Sequence, residues 1–187
     1  MTAGFDNTML SLLLNPNCNL PTDASGSVVP MAKERAAGAV TLLNKSRRRV
    51  IFPAPAIAEL LTAIGPEARQ YLEMVTSSRR VSVAPFDSKG AVELAILNRD
   101  IFSKHDKSSG AEPWQKVKFD RQIIAICRVE GVTELYTDDH NLGRRAVLCG
   151  IAAIRTADLP IPSADAQAVL PFDADDAPLE VPDVVDE

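Results

Sequence analysis

The chain has 187 residues, 46% hydrophobic and 24% charged, with a formal net charge of −5. That is the size and make-up of one folded domain with a real core, and it excludes a wholly disordered chain and a collagen-like or coiled-coil rod. The charge is uneven: no Lys or Arg follows Arg155, while Asp158, Asp165, Asp173, Asp175, Asp176, Glu180, Asp183, Asp186 and Glu187 do, so residues 1–157 carry a net +4 and the remainder −9.

Thr2–Phe5 reads as a very short first strand ending at Asp6, and Thr8–Leu14 as a short helix. No basic stretch precedes Leu10–Leu14, so no signal peptide is expected, and no apolar run approaches the roughly 20 residues of a membrane helix. Asn15–Pro30, rich in Pro, Asn, Ser and Gly, is a loop long enough to be mobile. Met31–Asn44 has helical spacing, with Ala36, Val40 and Leu43 on one face. Val50–Phe52 is a buried-type strand stopped by Pro53 and Pro55. Ala56–Ile64 is a helix with Ile57, Leu60, Leu61 and Ile64 inward, and Glu67–Ser77 a second helix after Gly65-Pro66.

Val81–Ala84 is the third strand and Ser88–Phe102 a helix, followed by a polar loop at Lys104–Gly110. The next helix begins between Pro113 and Asp120 and stops at Gly131, with Phe119, Ile123, Ile126 and Cys127 as its core stripe. Thr133–Thr137 is a strand, Asn141–Leu148 a helix and Ile151–Ile154 the fifth strand. Prolines and acids dominate from Leu159 onward. The expected division is a domain over residues 1–157 and a flexible or surface-draped acidic tail over 158–187. Such a tail solubilises the chain or lies over a basic groove as a phosphate mimic.

Cys18, Cys127 and Cys149 are odd in number and widely spaced, which suits buried thiols in a reducing, cytoplasmic setting. Two histidines, His105 and His140, exclude a structural zinc site or a zinc protease motif. Strands alternating with helices predict an α/β fold, a central parallel sheet of about five strands flanked by helices on both faces. Ligands of such sheets sit outside the carboxyl ends of the strands. Asp6, Glu59, and the pair Asp138 and Asp139 follow strands and fall on that edge. Asp120 joins them if its helix begins close by. Each has a plainer role: Asp6 and Asp120 as helix caps, Glu59 as a solvated residue, Asp138 and Asp139 as a turn. Together they would repel one another unless a cation compensates them. An all-oxygen site without histidine suits Mg²⁺ or Mn²⁺, and points to phosphoryl transfer or hydrolysis on a nucleic acid or nucleotide.

Four segments carry a family likeness: Phe5-Asp6-Asn7-Thr8, the run from Val50 through Pro53 and Glu59 to Leu61, Lys118-Phe119-Asp120-Arg121-Gln122-Ile123-Ile124-Ala125-Ile126-Cys127, and Leu135-Tyr136-Thr137-Asp138-Asp139-His140-Asn141-Leu142. In these the chain resembles PIN-domain ribonucleases, especially the VapC-like toxins of toxin–antitoxin pairs, over residues 5 to about 154. The resemblance implies a cytoplasmic endoribonuclease that hydrolyses RNA phosphodiesters with a water activated on one or two carboxylate-held Mg²⁺ or Mn²⁺ ions. It also implies a homodimer and a cognate antitoxin. Carried over, Asp6, Glu59, Asp120 and Asp139 are the metal-binding and catalytic acids, with Asp138 a helper, and Asn7 and Thr137 orient carboxylates or water. The short first strand, the long Asn15–Pro30 loop and the acidic tail depart from the family pattern. Lys116, Lys118, Arg121, Arg144 and Arg145, near the acids, are candidates for holding RNA phosphates, as are Arg47, Arg48 and Arg49 if they reach the groove. Three other readings stand beside this one. They are an RNA-processing nuclease that is not a toxin, a non-catalytic RNA- or protein-binding module on the same fold, and an aspartyl-phosphate enzyme. The last wants a second acid two residues after Asp6, where Thr8 stands.

Overall fold

Phe5, Phe52 and Tyr136 form a ladder of rings across three adjacent strands, with centroids 5.9 Å apart for Phe5–Phe52 and 5.0 Å for Phe5–Tyr136. The ladder lies in a computed structural model that describes residues 1–65, 70, 73, 77, 79–105 and 112–162. The strands are β1 (Thr2–Phe5), β2 (Arg49–Pro53), β3 (Val81–Ala84), β4 (Val132–Tyr136) and β5 (Ala152–Ile154). They pair in the order β3-β2-β1-β4-β5, all parallel. β1 therefore lies in the middle, short as it is, and Ala3 and Phe5 are wholly buried. Aromatic cross-strand neighbours of this kind contribute beyond their area alone.

The helices are α1 (Asn7–Leu14), α2 (Ala32–Lys45), α3 (Ala54–Ile64), α4 (Ser88–Leu97), α5 (Trp114–Val129) and α6 (His140–Leu148). Right-handed crossovers put α1, α2 and α3 on one face and α4, α5 and α6 on the other. Chain order reverses direction across the sheet between β1 and β4. The carboxyl ends of those two strands flank the crevice where such folds place ligands.

The apolar stripes explain the layers. Ala36, Val40 and Leu43 of α2 are buried, as are Ile57 and Leu60 of α3, while Leu61 and Ile64 are partly covered. The helix expected over Ser88–Phe102 is present, its last part a π-helical turn, Asn98–Phe102, and it runs on through Ser103–His105, so Lys104 and His105 are helical and not loop. The reading of α5 needs correction. In α5, Ile123, Ile126 and Cys127 are buried but Phe119 is exposed. The inward face instead runs Val117, Asp120, Ile123, Ile124 and Cys127. An aspartate interrupts the apolar pattern, and Phe119 stood in for it. The helix expected over Glu67–Ser77 falls largely outside the described residues, as do positions 106–110 of the polar loop.

Arg48 pairs with Glu134 at 2.7 Å and Arg49 with Glu130 at 3.1 Å. Both arginines precede or begin β2, so the Arg47–Arg49 run lies at the amino edge of the sheet, away from the strand ends that carry the acids. At the other limit of the described chain, Leu159 is buried, and Arg35 of α2 donates to the carbonyls of Ala157 and Leu159. Residues 158–162 are thus fastened to the body; the rest of the acidic tail lies outside the described residues. All three cysteines are free, Cys127 and Cys149 buried and Cys18 half-buried. Among the described residues no helix is long and apolar enough to cross a membrane.

Gly4 lets α5 close onto the sheet. A Cβ there would meet Leu135 and Val132 at 3.2 Å and the Cys127 sulfur at 3.3 Å. Gly4→Val should lower stability by about 1–3 kcal/mol through overpacking, seen as a reduced urea midpoint with an unchanged m-value.

Candidate active site

Asp6 is the first residue after β1 and the N-cap of α1. Its extended backbone (φ −90°, ψ −177°) turns the carboxylate over the helix start, where Oδ1 accepts from the Met9 amide at 3.1 Å and the Thr8 hydroxyl at 2.7 Å. Oδ2 accepts from the Thr137 hydroxyl at 2.5 Å. The same Thr137 oxygen accepts from the Asp139 amide at 3.0 Å. One threonine just past β4 therefore ties the ends of β1 and β4 together across the crevice.

Asp139 is the N-cap of α6 and accepts from the amides of Asn141 at 2.8 Å and Leu142 at 3.0 Å. Its other oxygen pairs with Lys116 at 2.6 Å. Glu59 stands in the second turn of α3, on its exposed side, and lines the same cavity as Asn7. Asp120 is two turns into α5, not near its start. It still reaches the site because those first turns, at about 1.5 Å per residue, overhang the strand ends. Asp6, Glu59, Asp120 and Asp139 line one cavity of about 170 Å³, together with Asn7, Thr8 and Lys116.

Asp138 does not join them. Its oxygens accept from the amide of Thr156 at 2.9 Å and its hydroxyl at 2.5 Å, which directs the carboxylate toward the segment after β5. Its amide donates to Thr8 at 2.9 Å. Asp138 holds the turn in place, and Asp139 alone of the pair faces the cavity.

The basic candidates divide. Lys116 lines the cavity. Arg145 is fully buried and spends its guanidinium on Asp120 and on Glu112, the latter at 2.5 Å. It is an internal counterion and offers nothing to an RNA phosphate. Arg121 bonds Asn98 at 2.9 Å and stacks over Phe102 at 4.8 Å, which fastens α5 to the π-helical turn. Lys118 is exposed over Trp114 at 5.6 Å. Arg144 lines a neighbouring cleft, which Thr137 and Asp139 also line.

Burial shapes the acid chemistry. It pushes the Asp6 carboxyl up to about 6 against the pull of the Thr137, Met9 and Thr8 hydrogen bonds. Burial, then the charge of Asp139, pushes Asp120 up to about 7. Arg145 offsets this only in part, because Glu112 shares its charge. Partial burial also raises Glu59. Burial works against the ionised Asp139, but the hydrogen bond from Lys116 and the Leu142 amide hold it below the usual carboxylate range. The hydrogen bond to Asp139 in turn raises Lys116.

Among the described residues, no group of three His, Cys, Asp or Glu side chains is drawn together tightly enough to hold an ion as it stands. Yet the donors suit one: carboxylate oxygens with no histidine or thiolate match a hard divalent cation. Lys116 shows that the cavity already accommodates positive charge. Asp6, Glu59, Asp120 and Asp139 are the residues that would hold it.

No family model matches the chain, and no curated protein matches it. Solved structures do. The VapBC2 structure from Rickettsia felis, bound to a DNA fragment from its promoter, superposes with a TM-score of 0.54 at 13% identity, covering 83% of this chain and 98% of that one. This chain has the VapC-like PIN fold. Mycobacterium tuberculosis VapC20, described as a toxin that cleaves the sarcin–ricin loop, aligns at 15% identity over 76% of this chain and 93% of its own, with a TM-score of 0.46.

The sequence reading overlooked Thr8, Glu112 and Thr156. Thr8, two residues past an N-cap aspartate after a strand, left a legible trace; Glu112 and Thr156 reach their partners only through the fold. The Asp6 carboxyl binds its proton more tightly folded (about 6) than at its ordinary value of 3.8. The unfolded chain therefore ionises first, and stability falls as pH rises from about 4 to 6, then levels. In EDTA, wild type should lose up to about 3 kcal/mol relative to Asp6→Asn across that window. Thermal midpoints of the two proteins that stay parallel from pH 4 to 7 would contradict the assignment.

Proposed function

We propose that the chain is a divalent-metal-dependent endoribonuclease and the toxin of a toxin–antitoxin pair. The carrying observation is that four acids from four separate segments line one cavity at the reversal point of the sheet. Two of them, Asp6 and Asp120, sit where burial disfavours their charge. A bound Mg²⁺ or Mn²⁺ would relieve that penalty, lower the pKa of a water and stabilise charge on a phosphodiester oxygen.

The chain's own groups take distinct parts. Thr137 and Thr8 hold the Asp6 carboxylate in one rotamer, and Asn7 lines the cavity beside Glu59. Glu59 and Asp139 are the less buried acids, open to substrate and to proton exchange with water. The Lys116 ammonium stands at the cavity wall, where an RNA phosphate would meet it. RNA as substrate and an antitoxin as partner come from the resemblance of the four sequence segments, and the shared fold accords with both. Val92 and Ile96, exposed one helical turn apart on α4, suit a homodimer or antitoxin contact. A cytoplasmic location accords with three free thiols.

One observation favours the non-catalytic alternative: Asp139 and Asp120 already have cationic partners in Lys116 and Arg145. Cleavage decides between them. Purified protein should cut members of a structured and single-stranded RNA panel with Mn²⁺ and not with EDTA, and Asp120→Asn should slow cutting by about a hundredfold or more. A folded Asp120→Asn protein that cuts at the wild-type rate overturns the nuclease reading. Lys116→Met should remove a competing charge, so its thermal midpoint should rise at about tenfold lower Mn²⁺ than wild type needs. Equal Mn²⁺ dependence would show that Lys116 does not compete with the ion.

A further inference from the structure

A larger cavity, of about 540 Å³, adjoins the carboxylate cavity and shares Asn7 and Thr8 with it. Its outer wall is the first half of the long loop that sets this chain apart from its family pattern. That loop is fastened. Lys33 donates to the Pro16 carbonyl at 2.6 Å, Arg155 donates to the Thr22 carbonyl at 2.9 Å, and Thr22 bridges to Val28 in antiparallel fashion. Asn15 Oδ1 accepts from the Asn17 amide at 3.0 Å, which tightens the first turn.

Held this way, the loop brings Asn17 and Asn19 to the cavity wall. Neither side-chain amide has a hydrogen-bond partner among the described residues, so each keeps a carbonyl acceptor and an NH₂ donor for a ligand. Arg155 adds the positive charge of the wall. Asp138 also lines the space, but Thr156 takes both its oxygens. What the wall offers is one guanidinium, neutral amides and the Asp138 carboxylate, whose oxygens Thr156 occupies, beside acids read as the cleavage site.

We propose that this cavity is the subsite for one unpaired nucleotide of the RNA next to the cleaved phosphate, its base read by Asn17 and Asn19 and its phosphate met by Arg155. Amides match the mixed donor and acceptor edge of a nucleobase, and a guanidinium matches a phosphate. The size falls within the range of about 300–1,000 Å³ typical of small-molecule sites. A duplex keeps its base edges paired, so the nucleotide that enters is single-stranded. The proposal rests on the nuclease reading for its substrate, and binding tests it apart from cleavage.

The probe is a set of fluorescent single-stranded RNA octamers that differ by one base at a time, with affinity read by anisotropy in EDTA. Wild type should bind them with a preference at one position. The double variant Asn17→Ala/Asn19→Ala, altered only at exposed side chains, should keep its thermal midpoint, bind about tenfold more weakly and lose that preference. Arg155→Lys keeps the charge without the planar guanidinium; it should weaken binding of every octamer alike and leave the base preference intact. With Mn²⁺, the double variant should show the loss in KM and a kcat near wild type. Wild-type affinity and preference in the double variant overturn the subsite, as does a wild type that binds no octamer. Binding that depends on Asn17 and Asn19 without any Mn²⁺-dependent cleavage supports the subsite and sinks the nuclease reading instead.

Discussion

Placing like charges together in a poorly hydrated crevice is the constraint around which this molecule is arranged. A buried carboxylate is stable only if hydrogen bonds, a cation or a proton compensate it. Here the three more buried acids each have their own compensation. Asp6 has three hydrogen bonds from Thr8, Met9 and Thr137. Asp139 has two helix amides and Lys116. Asp120 has a buried guanidinium that Glu112 also claims. The compensation is incomplete for Asp6 and Asp120, as their raised proton affinities record. Sites left short of positive charge in this way are where a cation gains most by binding.

The fold meets that constraint with short, rigid parts. β1 has only four residues, yet it occupies the centre of the sheet and is clamped by Phe52 and Tyr136 on either side of Phe5. Its small residue Gly4 admits α5 from one face. Asp6 therefore leaves the sheet at a fixed place and angle. N-capping has a second use at both Asp6 and Asp139: the amides that need an acceptor at a helix start also orient the carboxylate that supplies it. A residue that merely looks like a cap in sequence is, in this setting, a cap and a candidate ligand at once.

The two internal cations differ in kind. Arg145, enclosed and held between Asp120 and Glu112, is part of the scaffold that positions Asp120. Lys116 pairs with Asp139 from a side chain that remains about half exposed. A flexible ammonium at the rim can yield to other charges, where a buried guanidinium cannot without unfolding its surroundings. The long loop has a comparable dual character. It is irregular in sequence but tied down by Lys33 and Arg155, and it widens the crevice into a polar chamber beside the acids.

The amino-acid sequence by itself determined the alternation of strands and helices, because buried strands and amphipathic helices carry different periods. It also determined which acids follow strands, and in a parallel sheet that places Asp6, Glu59 and Asp139 on one edge. It misjudged α5, where Asp120 lies within the buried face and Phe119 outside it, since an acid on an apolar stripe reads as an interruption. Only the tertiary structure decided that Asp138 turns away to Thr156 while Asp139 faces the cavity, for adjacent residues in a turn differ only in what surrounds them. It alone decided that Arg145 is a buried counterion, that Glu112 shares it, and that Arg47, Arg48 and Arg49 lie at the far edge. Charge is visible in sequence, but its partner and its distance from water are set by segments many residues away.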